Sequence, residues 1–418
     1  MALTRKSFLR YLGLGAAATA LSSGRTAAGE FGSGRPAGSA LEDTRKGVKT
    51  MTIKDIEIYA FDIKLIAPFV ISIGKMDSAT DVLIRVITDA GIVGIGEACP
   101  FPPITGETQE TNIAAARSLR EMFIGKDPLA IEAFVRGAGA IVHANPSIVA
   151  AFDMALYDIL GKAAGLPVYR LLGGGDRTRF ATDITVSLET PEKMAAEAKT
   201  YAGRGYRTIK VKVGQDVALD ASRIKGIREA VGDKVELRID ANQGWTVPQA
   251  KDALERLSEF RVQFCEQPVA AADVAGLREV RRESPIPIMA DEALFGAPDA
   301  VKLIRADACD YFNIKLMKAG GIFNSVKIAH IADAANIKCM VGCMLETRLA
   351  LTAAAHVVAS QNNIWFADLD GNAEHVEDPI VGGVRLERDE LVLPETPGLG
   401  CDVDPAYLKK LIRVKPTS

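Results

Sequence analysis

Charge of neither sign dominates this 418-residue sequence: 50 Lys and Arg face 53 Asp and Glu, a formal net charge of −3. That balance gives no reason to expect a nucleic-acid or anionic-membrane surface. No uncharged apolar run reaches the roughly 18 residues that a membrane span needs. The six cysteines (Cys99, Cys265, Cys309, Cys339, Cys343 and Cys401) include no C-x-x-C pair. Neither a zinc knuckle nor a small disulfide scaffold is suggested. What is present is ordinary globular composition, 48% hydrophobic and 25% charged. The chain is also long for a single hydrophobic core, so two structural units are expected.

The N-terminus reads as an address. Arg5 and Lys6 precede Ser7, Phe8, Leu9 and Arg10, followed by a short, weakly apolar run from Tyr11 to Leu21. Ala18, Thr19 and Ala20 offer a small-x-small cleavage site. A positive n-region, an h-region too short to span and a small-residue end describe an export signal. The Arg-Lys-x-Phe-Leu order resembles a twin-arginine signal with Lys in place of the second Arg. A periplasmic location is expected, and a cytoplasmic one if Met51 is the true start. Residues 22–50 are Gly, Ser, Ala, Arg and Thr with few large apolar side chains, the composition of a flexible tether.

Residues 51–175 combine strand patterns near 53–59, 82–88 and 91–97 with helical patterns over 108–122, 128–140 and 147–164. Strands followed by helices imply an α+β domain. Gly173, Gly174 and Gly175 read as a linker, because no strand–Gly loop–helix order surrounds them. From residue 176 to 383, β-type runs recur near 180–187, 208–213, 235–240, 262–266, 286–290, 311–316, 339–343 and 365–370. Helical stretches such as 191–203 and 321–335 lie between them. Eight parallel strands with helical crossovers in roughly 200 residues suit an α/β class closed barrel. A doubly wound open sheet is the alternative.

The polar residues at the strand ends keep the same beat. Lys212, Asp240, Glu266, Asp291, Lys315, Cys343 and Asp368 follow one another at intervals of 24–28 residues. Each interval is one strand–helix repeat, so all sit at one height, on the rim where β/α barrels carry their active sites. Burying five consecutive charged strand ends unpaired would be costly, so folding alone does not account for them.

The carboxylates Asp240, Glu266 and Asp291 on adjacent strands converge on one point. Hard oxygen ligands without nearby His or Cys favour Mg²⁺, with Mn²⁺ as the alternative. Lys210 and Lys212, two apart, point to the same side of their strand, into the barrel. Lys315 ends the strand four places away in a ring of eight, so an amine stands on each face of a substrate held at the metal. Clustered cations and Mg²⁺ together are expected to lower a lysine pKa and make a neutral base accessible. One base removes a proton from a carbon α to a carboxylate and the other returns it to the opposite face, with the metal stabilising the enediolate. Asp368 and Asp370, at i and i+2, aim two carboxylates inward from the eighth strand. They suit an ammonium one residue away from the reacting carbon, which describes a short peptide.

These residues resemble the enolase superfamily, muconate-cycloisomerase subgroup. The run Thr208 to Gly214 (T-I-K-V-K-V-G) resembles its K-x-K signature. Asp240 to Trp245, Cys265 to Pro268, Ala290 to Glu292 and Asn313 to Lys315 resemble its later motifs, in order. The resemblance implies a modified TIM barrel, (β/α)7β, with an N-terminal α+β capping domain completed by residues 384–418. Within the subgroup, Thr182 to Ser187 and Asp368 to Gly371 resemble dipeptide epimerases, including the L-Ala-D/L-Glu epimerases. That implies Lys212 and Lys315 as the bases, Asp240, Glu266 and Asp291 as the metal ligands, and Thr185, Lys210, Cys343, Leu345, Asp368 and Asp370 as dipeptide contacts. N-acylamino-acid racemase and cycloisomerase activities share the lysines and metal and stay open, as does oligomeric state. Mandelate-racemase-like members would have a His on strand seven; Cys343 occupies that rim here, and none of the four histidines fits the role. A non-catalytic periplasmic peptide-binding protein is the alternative from another class. Residues 68–75 are expected to form a loop that covers the mouth and reads the substrate's C-terminal side chain; whether Lys75 reads an acidic one stays open.

Overall fold

The computed structural model describes residues 51–415. The export signal and tether expected over residues 1–50 lie outside the described residues. Among these, no helix is long and apolar enough to cross a membrane.

Three antiparallel strands open the fold: β1 (Ile53–Ile71), β2 (Gly74–Thr88) and β3 (Val93–Ala98). Helices α1 (Gln109–Phe123), α2 (Ile131–Ile141) and α3 (Pro146–Ala164) follow, close to the expected bounds. Proline at its first turn starts α3, and Gly165 in the left-handed region (φ 70°) ends it. This helix is buried nearly all round because it lies directly on β3. A Cβ added at Gly96 would stand 1.8 Å from the Ala151 carbonyl oxygen, so only glycine permits that approach.

The first two strands are longer than the sequence pattern predicts. Between Lys64 and Phe69 the β1–β2 register shifts, and Pro68 sits in that irregular stretch. The break in alternation hides the continuation of the strand. Residues 68–75 therefore form the end of a β-hairpin and not an irregular loop. The hairpin is fastened over the barrel mouth: Ser72 Oγ donates to the carbonyls of Ala241 (2.8 Å) and Asn242 (2.9 Å). The Leu188 amide donates to Val70 O at 3.1 Å.

The barrel follows as expected. A short β4 (Arg179–Ala181) precedes β5 (Ile184–Val186), α4 (Pro191–Gly203), β6 (Thr208–Lys212), α5 (Val217–Val231) and β7 (Glu236–Asp240). Then come α6 (Val247–Leu257), β8 (Val262–Glu266), α7 (Val274–Glu283), β9 (Ile288–Ala290) and α8 (Ala297–Ala306). The last repeats are β10 (Tyr311–Lys315), α9 (Ile322–Ala334), β11 (Lys338–Gly342), α10 (Arg348–Ser360) and β12 (Ile364–Asp368). Strands β5 to β12 form one eight-stranded parallel sheet in chain order. Its two edges are drawn together by Leu369 N donating to Thr182 Oγ1 at 2.9 Å. Below the rim the barrel is plugged by Phe264, Met289 and Met340, with Tyr311 and Phe366 packed on them. Arg238 stacks on Phe264 and Phe366 and pairs with Asp183 at 2.7 Å, which closes the floor of the site.

The C-terminal segment departs from expectation. Beyond β13 (Ile380–Gly382), strand β14 (Arg385–Glu387) pairs with β15 (Glu390–Val392) and β15 with β4, and β16 (Cys401–Val403) pairs with β13. Only β17 (Ile412–Arg413) joins the cap sheet, beside β1, where Arg413 bonds Asp55 and Glu57. The described part of this segment, residues 384–415, is thus divided between barrel and cap. The hairpin β14–β15 stays with the barrel because Asp389 and Glu390 are ion-paired to Arg207, just ahead of β6.

Candidate active site

The structure gathers all eleven sequence-expected residues at the C-terminal mouth of the barrel. Asp240, Glu266 and Asp291 end β7, β8 and β9 or follow directly, all fully buried, with one carboxylate oxygen from each within 4.8 Å of the others. Glu266 Oε2 and Asp291 Oδ2 make no hydrogen bond, although each lies 2.9 Å from a lysine ammonium. Three hard, buried donors with two oxygens free of hydrogen bonds fit Mg²⁺. Neighbours orient them: Asn313 Nδ2 donates to Glu266 Oε1 at 2.6 Å, and the Asn242 amide to Asp240 Oδ1 at 2.9 Å.

Strand alternation puts Lys210 and Lys212 on the inner face of β6 while Ile209 and Val211 are buried on the other. Lys212 Nζ is 2.7 Å from Asp240 Oδ2, and Lys315 Nζ is 2.9 Å from Asp291 Oδ2. With β6 and β10 four strands apart, the two amines approach the carboxylate triad from opposite sides of the ring. The protein groups around Lys315 do not by themselves give the expected lowering of its pKa. Burial pushes its pKa down, but Asp291 and Glu266 outweigh this and hold it above the usual value. The expected lowering rests on Mg²⁺ and neighbouring cations, whereas the carboxylates that face the amine act in the opposite direction. In turn, burial would raise Asp291, but Lys315 and Lys318 hold it well below the carboxylate range.

At the end of the eighth strand both carboxylates face the cavity, as expected. Asp368 and Asp370 do not form a free pair. Asp368 ends β12 and is engaged by Lys210 at 2.8 Å. Asp370 lies just beyond the strand; its Oδ2 accepts the Thr185 amide at 2.7 Å, and Cys343 Sγ donates to its Oδ1 at 3.7 Å. Asp370 has no ion-pair partner among the described residues. Thr185, Cys343, Leu345, Asp368 and Asp370 line one cavity with Lys210, Lys212 and Lys315.

Lys75 is not part of that cavity. It is exposed and lies 3.4 Å from Asp77, on the outer strand of the hairpin. Phe69 and Ile71, within the stretch expected over the mouth, form the cavity's cap-side wall with Phe101 and Ile104; sequence reasoning missed the latter two and also Glu374. The Glu374 carboxyl is pushed up to about 7 by burial, Asp370 and Glu197. Lys318, fully buried on Asp291 Oδ1, was missed too; its spacing of three from Lys315, one helical turn, was a usable signal.

Residues 55–173 match the mandelate racemase/muconate lactonizing enzyme N-terminal domain, and residues 193–407 match the enolase C-terminal domain-like family. Among solved structures, the chain is similar to a dipeptide epimerase from Cytophaga hutchinsonii complexed with Mg and D-Ala-L-Val. The identity is 40% and the TM-score 0.86, covering 88% of this chain and 100% of that one. A dipeptide epimerase from Enterococcus faecalis V583, complexed with Mg and L-Leu-L-Tyr, is 41% identical with a TM-score of 0.82, covering 84% and 99%. The L-Ala-D/L-Glu epimerase of Bacillus subtilis in a substrate-liganded complex is 40% identical with a TM-score of 0.82, covering 84% and 98%.

Proposed function

Because the chain belongs to the mandelate racemase/muconate lactonizing enzyme family of the enolase superfamily, we propose that it is a Mg²⁺-dependent dipeptide epimerase acting on the C-terminal residue. The observation that carries this reading is the pair Lys212 and Lys315, placed on opposite strands around three buried carboxylates. Asp240, Glu266 and Asp291 would hold the Mg²⁺, which when bound offsets the charge that develops on the substrate carboxylate as the α-proton departs. Lys212 and Lys315 act on the two faces of the α-carbon. One, as a neutral amine, takes the proton; the other, as an ammonium, returns one to the opposite face. Lys210 stays on Asp368 and fixes its orientation. Asp370, without an ion-pair partner, receives the substrate's N-terminal ammonium. The hairpin tip, held by Ser72, covers the mouth and limits water.

The test separates this reading from an acylamino-acid racemase, which shares the lysines and the metal site. N-acetylation removes the ammonium, adds bulk and leaves Asp370 unpaired. A charge-assisted hydrogen bond is worth about 1.5–3 kcal/mol. Catalytic efficiency should fall by roughly two orders of magnitude, since each 1.36 kcal/mol is tenfold. The measurement is α-proton exchange in deuterated water for a free dipeptide, its N-acetyl form and the matching N-succinyl amino acid. Acylated substrates reacting as fast as the free dipeptide would overturn the proposal.

Export is a further part of the proposal, supported by Arg5, Lys6 and the Ala18-Thr19-Ala20 site. Mature protein recovered from the periplasm should begin near residues 21–30. Uncleaved protein found only in the cytoplasm refutes export.

A further inference from the structure

The three relatives differ in what they hold or act on, yet they are 40–41% identical to this chain, so overall similarity does not choose among their side chains. The local geometry does. A two-base proton transfer proceeds through a planar α-carbon whose three remaining substituents are the carboxylate, the amide nitrogen and the side chain. The carboxylate points to Asp240, Glu266 and Asp291. The amide nitrogen leads toward Asp370. The lysines occupy the two faces of the plane. The side chain is left with one direction, toward the cap.

That wall is apolar. Phe69 and Ile71 come from the hairpin, and Phe101 and Ile104 from the segment after β3. The Phe69 ring centre is 5.6 Å from Lys212 Nζ, so the wall begins beside the reacting carbon. Among the described residues, no cation belongs to it. Lys210, Lys212 and Lys315 are ion-paired to carboxylates on the barrel side, and Lys75 is outside, with Asp77. Glu374, which also lines the cavity, is of the wrong sign for an acidic group.

We propose that this site selects dipeptides whose C-terminal residue carries an apolar side chain and discriminates against C-terminal glutamate. The inference rests on the dipeptide-epimerase reading. A glutamate γ-carboxylate against Phe69, Ile71, Phe101 and Ile104 gives up its water and gains no partner, whereas a leucine side chain gains apolar contact.

The experiment compares L-Ala-L-Leu with L-Ala-L-Glu on the Mg²⁺-loaded enzyme, with kcat/KM read from α-deuterium incorporation. The leucine dipeptide should be favoured by about 100-fold, the effect expected when a site leaves a charged group unpaired. In Ile104→Lys, which supplies the missing cation, the ratio should shrink at least tenfold through faster turnover of the glutamate dipeptide. Equal or faster turnover of L-Ala-L-Glu by the wild-type enzyme overturns the inference and leaves the epimerase reading standing. Turnover of N-succinyl amino acids with no exchange in either dipeptide refutes the epimerase reading, and the inference with it.

Discussion

Lys212→Ala and Lys315→Ala should each abolish net epimerisation, with a loss of at least about 10²–10⁴-fold, the usual contribution of a positioned acid–base group. Each variant should still exchange the α-proton of one substrate epimer, because one face keeps its base. The expectation follows from the ring: β6 and β10 are four strands apart, so neither amine can reach around the substrate to serve the other's face. Both lysines are buried against carboxylates, and their removal leaves Asp240 or Asp291 with fewer counter-charges. Lys210 still faces Asp240 at 3.1 Å and Lys318 still faces Asp291, so the rim should stay folded. Thermal unfolding of each variant checks this separately from activity. The readout is deuterium incorporation into each epimer supplied alone. Equal exchange of both epimers by both single variants would sink the two-base assignment.

Removing the metal should have an effect at least as large. Asp240, Glu266 and Asp291 are completely buried and lie within 4.8 Å of one another, an arrangement of like charges that a divalent cation compensates best. Lewis-acid stabilisation of developing charge is worth several kcal/mol, so chelation should slow turnover by roughly 10³-fold or more, and added Mg²⁺ should restore it. Asp240→Asn keeps the shape of the side chain and removes its charge. It should weaken Mg²⁺ binding measured by calorimetry, with the thermal midpoint little changed. The same substitution frees Lys212 from its carboxylate, so activity alone would be an ambiguous readout and the metal titration is the decisive one. Metal-free protein epimerising at the wild-type rate would show that the reading of the triad is wrong.

The sequence by itself determined the barrel and the reactive groups on its rim. Strand–helix repeats of 24–28 residues and side chains alternating every two residues are local properties of the chain, and they put Lys212, Asp240, Glu266, Asp291 and Lys315 at one height and facing inward. Tertiary structure alone decided how those groups are shared. Lys210 spends its charge on Asp240, Glu266 and Asp368 together, which no spacing along β6 announces. Asp370, just past the end of β12 at Asp368, is fixed in the same cavity by the Thr185 amide and Cys343, and only Asp368 is taken up by Lys210. The apolar wall joins Phe69 and Ile71 to Phe101 and Ile104, and Lys75 is directed away by the hairpin that carries it. Contacts of this kind bring together segments that share no period, and one register shift in β1 is enough to change which side chain reaches the substrate and which reaches water.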